Sequence, residues 1–141
     1  MFVLDTNVVS ELRKISLGKA DPHVARWADS VDAGSLYISA ITVLELELGV
    51  LQIERKDPQQ GAILRTWLDR LVLPEFEGRT FPVDTAVAQR RARLHVPDPG
   101  AERDALIGAT ALVHGMTLVT RNLADFKAMG APLLNPWDAA S

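Results

Sequence analysis

Short apolar runs alternate along this chain with longer stretches whose apolar residues return every three or four positions. Phe2-Val3-Leu4, Leu36-Tyr37-Ile38, Arg79 to Val83, Thr117-Leu118-Val119 and Pro132 to Leu134 read as strands. Between them, helical patterns cover Asn7 to Lys14, Pro22 to Val31, about Ala40 to Arg55, Pro58 to Val72, Asp84 to about His95, and a very apolar stretch ending at His114. Asp21 before Pro22 is a helix start, since a proline at the first helical position has no N–H to leave unpaired. Pro97-Asp98-Pro99-Gly100 reads as a turn, and a short helix follows Asn122. Strand and helix alternating over the whole length predict an α/β fold, a parallel sheet covered by helices on both faces. No repeat or linker interrupts the pattern, so residues 1–141 are expected to form one domain.

Such sheets carry their chemistry just beyond the carboxyl ends of the strands. There the sequence sets Asp5-Thr6-Asn7, Ser39 and Thr120-Arg121-Asn122. The chain has no cysteine, which removes disulfides, thiolate zinc sites and thiol nucleophiles together. A net charge of −3 argues against holding nucleic acid by bulk charge. The residues before Asp5 are too few for a signal-peptide apolar region, and the uncharged stretch Ala105 to Thr120 is shorter than the ~20 residues of a membrane span. A cytoplasmic location is the expectation.

Four acids stand out. Asp5 follows a strand, where an N-cap is the plain alternative. Glu45 lies on a helix with two apolar stripes, Leu44/Leu48/Leu51 and Leu46/Val50/Ile53. Gly49, one turn on, leaves the space over Glu45 uncovered. The Leu46/Val50/Ile53 stripe is expected to face a partner or a second copy. Asp104 opens the apolar helix with Gly108 one turn on, and a first-turn acid complementing the helix dipole is its ordinary reading. Asp125 follows Asn122 by three positions, the spacing of a capping box.

Carboxylates that meet at one site repel unless a cation or shared protons compensate. An oxygen-only donor set selects Mg²⁺ or Mn²⁺, and the three histidines lack ligand spacing for zinc. With neither GxxxxGK[ST] nor GxGxxG present, such a pocket points to phosphodiester hydrolysis. An aspartate-nucleophile phosphatase would want an acid two residues after Asp5, and that position is Asn7.

Val3-Leu4-Asp5-Thr6-Asn7, Ser39 through Leu46 with Gly49, Asp104 through Ala111, Leu118-Val119-Thr120-Arg121-Asn122, Asp125-Phe126 and Asn135-Pro136-Trp137 together resemble PIN-domain ribonucleases, in particular VapC-type toxins. The resemblance implies a parallel sheet of about five strands flanked by helices, Mg²⁺- or Mn²⁺-dependent RNA cleavage, homodimerisation, and neutralisation by an antitoxin, with larger toxin–antitoxin assemblies possible. It assigns Asp5, Glu45 and Asp104 as catalytic metal ligands. For the fourth position Asn122, which is neutral, and Asp125, one turn later, stand as alternatives. Thr6 and Thr120 are expected behind the carboxylates or on a phosphate oxygen, with helix capping as the alternative. Arg121 is expected on substrate phosphate, and Arg90, Arg91, Arg93 and His95 form a basic segment that either meets RNA or is a solvated face. A silent PIN domain acting as an RNA- or protein-binding module is the competing reading, supported by the neutral Asn122.

Overall fold

The computed structural model describes residues 1–96 and 100–138, so the expected turn at 97–100 lies almost wholly outside the described residues. Five strands, β1 (Phe2–Leu4), β2 (Leu36–Ser39), β3 (Thr80–Phe81), β4 (Thr117–Val119) and β5 (Leu133–Leu134), form one sheet in the order β3-β2-β1-β4-β5. Every pairing is parallel; Val3 lies beside Tyr37 on one side and Leu118 on the other. The strands obey the period of two. Val3 and Leu118 enter one core with Ile107, Ala111 and Phe126, while Leu4 and Val119 enter the other with Val8, Trp27, Ile38 and Leu68.

The connecting helices are α1 (Thr6–Arg13), α2 (Pro22–Ser30), α3 (Ala40–Lys56), α4 (Pro58–Trp67), α5 (Leu73–Glu75), α6 (Thr85–His95), α7 (Glu102–Val113) and α8 (Leu123–Phe126). Their starts carry local caps: Asp21, expected as a helix start, accepts from the N–H groups of His23 and Val24, Ser39 from Ile41, and Asp84 from Val87. The segment expected as one helix from Pro58 to Val72 is α4 followed by a π-helical turn, Leu68–Val72, which runs on into α5. The third strand is shorter than the expected Arg79 to Val83.

Helices α3 and α4 pack very closely at Gly61, where an added Cβ would lie 2.5 Å from Glu54 Cα. Arg65 of α4 clasps the same pair by donating to both carboxylate oxygens of Glu47, at 2.9 and 2.6 Å, and to Glu54. This packing decides which stripe of α3 faces inward. Leu46 and Val50 are buried in the core with Leu4 and Val8, and Ile53 is half-buried, so the stripe expected to face a partner is mostly interior. Leu44, Leu48 and Leu51 are the ones left exposed, at 45%, 40% and 53%. Leu46 and Val50 line an apolar groove beside Glu45, shared with Gly49, Ile53, Leu64 and Trp67. The basic segment is also divided: Arg91 is buried against Glu102 of α7, while Arg93 and His95 are exposed. It is not one RNA-facing surface.

Candidate active site

Strand order places the site. From β1 the chain builds toward β2 and β3 on one side, and β4 and β5 lie on the other. The crevice at the carboxyl ends of β1 and β4 is therefore the point where connections diverge, the usual binding position in open α/β sheets. Asp5 and Thr120 are the first residues past those two strands, and the Asp5 N–H donates to the Val119 carbonyl at 2.8 Å.

Asp5 is 5% exposed and fully engaged. Its Oδ1 accepts from the Thr6 N–H at 2.8 Å, the N-cap bond of α1. Its Oδ2 accepts from the Thr120 hydroxyl at 2.8 Å and the Asn7 amide at 3.2 Å. Capping and site placement thus coincide in one residue. Burial nevertheless pushes the Asp5 carboxyl above its ordinary 3.8, with the Glu45 charge adding to the rise against the hydrogen bonds.

The Thr6 hydroxyl donates to Glu45 Oε1 at 2.6 Å, fixing that carboxylate from α1. It also meets the fully buried Thr42 hydroxyl at 3.2 Å; with the one Thr6 proton committed to Glu45, Thr42 is left to donate. Nothing lies within 4 Å of the position a Gly49 Cβ would take, so the opening over Glu45 is real. Gly108 behaves differently. Its missing side chain makes room for the Met129 sulfur and the Phe126 ring, so it serves α7 packing and leaves no comparable opening above Asp104.

Asp104 stands in the first turn of α7, half-buried, and accepts no hydrogen bond among the described residues. Desolvation raises its carboxyl above 3.8, and the charges of Asp5, Asp125 and Glu45 raise it further, against a smaller lowering by Arg103. Those charge effects place four acids in one neighbourhood. Asn122 donates its N–H to the Thr120 hydroxyl at 3.0 Å, and its side chain makes no cap bond to α8. Arg121 lies over the Trp137 ring, its guanidinium carbon 5.1 Å from the centroid, and its backbone N–H donates to Asn7 Oδ1. Thr42 and Arg103 escaped the sequence reading, and Asn7, noted at the strand end, is given no role there. Arg103 carried a signal, a cation placed where the helix dipole disfavours one.

The donor set is chemically suited to a hard divalent ion: all oxygen, partly desolvated, with raised carboxyl pKa values that a cation would reverse. Among the described residues no three acidic or histidine side chains are already drawn into a closed cage.

A five-stranded parallel sheet with acids gathered at its divergence point defines the class, and the chain belongs to the PIN domain family, which matches residues 2–131. Within that class it is similar to the VapC ribonuclease Y4jK of Sinorhizobium fredii, 36% identical over 145 residues covering 99% of this chain and 100% of that protein. It is 37% identical to toxin FitB of Neisseria gonorrhoeae over 143 residues, 97% of this chain and 99% of that one. The crystal structure of FitAcB from Neisseria gonorrhoeae superposes with a TM-score of 0.87 at 35% identity, covering 97% of this chain and 99% of that chain.

Proposed function

We propose that this chain is the ribonuclease toxin of a toxin–antitoxin pair, acting in the cytoplasm and hydrolysing RNA phosphodiester bonds at Asp5, Glu45, Asp104 and Asp125. The observation that carries the reading is the approach of these carboxylates from the ends of β1, α3, α7 and α8 to the β1/β4 crevice: burial and the Glu45 charge raise the Asp5 carboxyl, and burial with the charges of Asp5, Asp125 and Glu45 raises Asp104. Asp5, Glu45 and Asp104 would hold Mg²⁺ or Mn²⁺. Such an ion supplies Lewis-acid polarisation of the phosphate and lowers the pKa of water beside it.

The remaining work belongs to the chain. Thr120, Asn7 and the Thr6 N–H hold Asp5 in a single orientation, and Thr6 does the same for one oxygen of Glu45, leaving the other to orient the attacking water. Water adds to phosphorus in line, the P–O bond to the departing nucleotide breaks, the water's proton passes to Glu45, and the leaving oxygen takes one from solvent. Asp125 is preferred to Asn122 as the fourth acid because its charge acts on Asp104, whereas Asn122 only braces Thr120 through its backbone. Arg121 sits at the rim, tied through Asn7 to Asp5, where substrate phosphate passes. That pairing of Asn7 with Asp5 also removes the phosphatase reading, since an amide cannot be the general acid.

A toxin requires a neutralising partner, and the names of the relatives favour an antitoxin protein in that role. The exposed Leu44/Leu48/Leu51 face supports self-association. Incubating RNA with wild-type and Asp5→Asn protein, with and without EDTA, tests the reading. Cleavage is expected only from the wild type without chelator; cleavage that persists in the variant and under EDTA would refute it.

A further inference from the structure

We propose that Arg103 is the residue that grips the substrate's phosphate backbone, and that Glu45 restrains it until a divalent ion displaces it. The inference rests on the metal-dependent ribonuclease reading and adds to it a residue and a competition.

Arg103 Nη1 lies 3.8 Å from Glu45 Oε2, the oxygen not engaged by Thr6. Among the described residues it is the one basic side chain in ion-pair range of the acid cluster, and it makes no other polar contact. The contact is long and the Arg103 side chain half-exposed, at 51%, which marks a weak, readily broken pair. Three other arginines are committed elsewhere: Arg65 to Glu47 and Glu54, Arg91 to Glu102, and Arg79 to the carbonyls of Ala33 and Leu36.

The position of Arg103 is also unfavourable for the helix that bears it. It stands in the first turn of α7 between Glu102 and Asp104, where the helix dipole welcomes the acids and opposes the cation. Helix stability therefore does not explain an arginine there. A guanidinium offers a planar fork that matches the two non-bridging oxygens of a phosphodiester. Arg103 and a divalent ion are drawn to the same carboxylate charge. An ion held there would largely cancel that attraction, and a half-exposed side chain one residue from Asp104 would then be free to meet the phosphate.

The two roles give opposite signs in one variant. Arg103→Gln should bind Mn²⁺ more tightly, by about 2- to 5-fold, the equivalent of one exposed ion pair removed. Titration of the protein by calorimetry, without RNA, reads this. The same variant should raise KM for a single-stranded RNA, selected by wild-type cleavage from a randomised pool, with kcat little changed. The slope of log(kcat/KM) against log salt should shrink by about 0.7, one phosphate contact on a single strand. Arg103→Lys, which keeps the charge, should restore that slope. Weaker Mn²⁺ binding together with a lower melting temperature would make Arg103 a structural residue and overturn the proposal, as would an unchanged KM and salt slope. Wild-type protein that bound no Mn²⁺ or cleaved RNA in EDTA would instead overturn the underlying reading, whatever Arg103 does.

Discussion

Replacing Thr120 by valine removes a hydroxyl while keeping the shape of a fully buried side chain. That hydroxyl donates to Asp5 Oδ2 at 2.8 Å and accepts the Asn122 N–H at 3.0 Å. A hydrogen bond to a charged group is worth about 1.5–3 kcal/mol and a neutral one about 1 kcal/mol. At neutral pH the loss should therefore be about 2 kcal/mol. Thr120 is the foremost influence holding the Asp5 carboxyl down against burial, so its removal raises that pKa further. The folded variant then binds its proton more tightly than the unfolded chain over a wider range, and its stability falls as pH rises from about 3.8 through the raised folded value. Below that window Asp5 is neutral in both proteins, and the difference should contract to about 1 kcal/mol. Urea unfolding of both proteins at pH 7 and at the lowest pH where the fold persists measures the two gaps. A gap that stays constant with pH, or widens on acidification, would refute the claim that Thr120 acts by stabilising the Asp5 carboxylate. Repeating the comparison in an Asp5→Asn background should abolish the pH dependence.

Asp104→Asn should end RNA cleavage while raising the melting temperature of the metal-free protein, because it removes a desolvated charge surrounded by three others; a drop in melting temperature would count against mutual repulsion. Mn²⁺ affinity of the wild type should fall on acidification beginning above the ordinary carboxylate range, since ligation needs Asp5 and Asp104 ionised; calorimetric titration across pH 4 to 7 follows it, and an affinity flat in that range would be inconsistent with the raised pKa values. Leu46→Lys with Val50→Lys should unfold the domain, at a cost of several kcal/mol for two buried charges, whereas Leu48→Lys should stay within about 0.5 kcal/mol of wild type and weaken only self-association, as circular dichroism and light scattering would report. Gly61→Ala should lose about 1–3 kcal/mol in denaturant midpoints by forcing α3 and α4 apart at Glu54; an unchanged midpoint would mean the pair is not close-packed there.

What the sequence revealed and what it withheld divide along a physical line. Strand positions were legible because Val3, Leu4, Leu118 and Val119 are buried on both faces of the sheet, which forces short unbroken apolar runs. Helix starts were legible because Asp21, Ser39 and Asp84 bond locally to their own chains. Asp5 could be singled out by its place at a strand end and Glu45 by the open space at Gly49, whereas Gly108, the matching cue beside Asp104, proved to serve packing against Met129 and Phe126. The orientation of α3 was not legible. Both stripes are apolar, and the choice depends on Gly61 and Arg65 in the next helix drawing α4 against the Glu47/Glu54 side. The fate of the basic segment was hidden similarly, since only the α6–α7 packing discloses that Arg91 is spent on Glu102.

The fourth acid shows why spacing along the chain could not decide between Asn122 and Asp125. The two are one helical turn apart, and α8 is a single short turn whose direction is set by Phe126 burying itself in the core with Ile107 and Ala111. Anchoring Phe126 fixes its neighbour Asp125 near α7, and there the Asp125 charge reaches Asp104. Asn122 is held instead by its own N–H on Thr120, the hydroxyl that also holds Asp5. A neutral residue suits that bracing role, since a carboxylate at position 122 would add a further negative charge beside Asp5, whose carboxyl already feels burial and Glu45. The neutrality of Asn122 therefore has a structural reason of its own: it supports the Thr120 hydroxyl that donates to Asp5, while the Asp125 charge acts on Asp104.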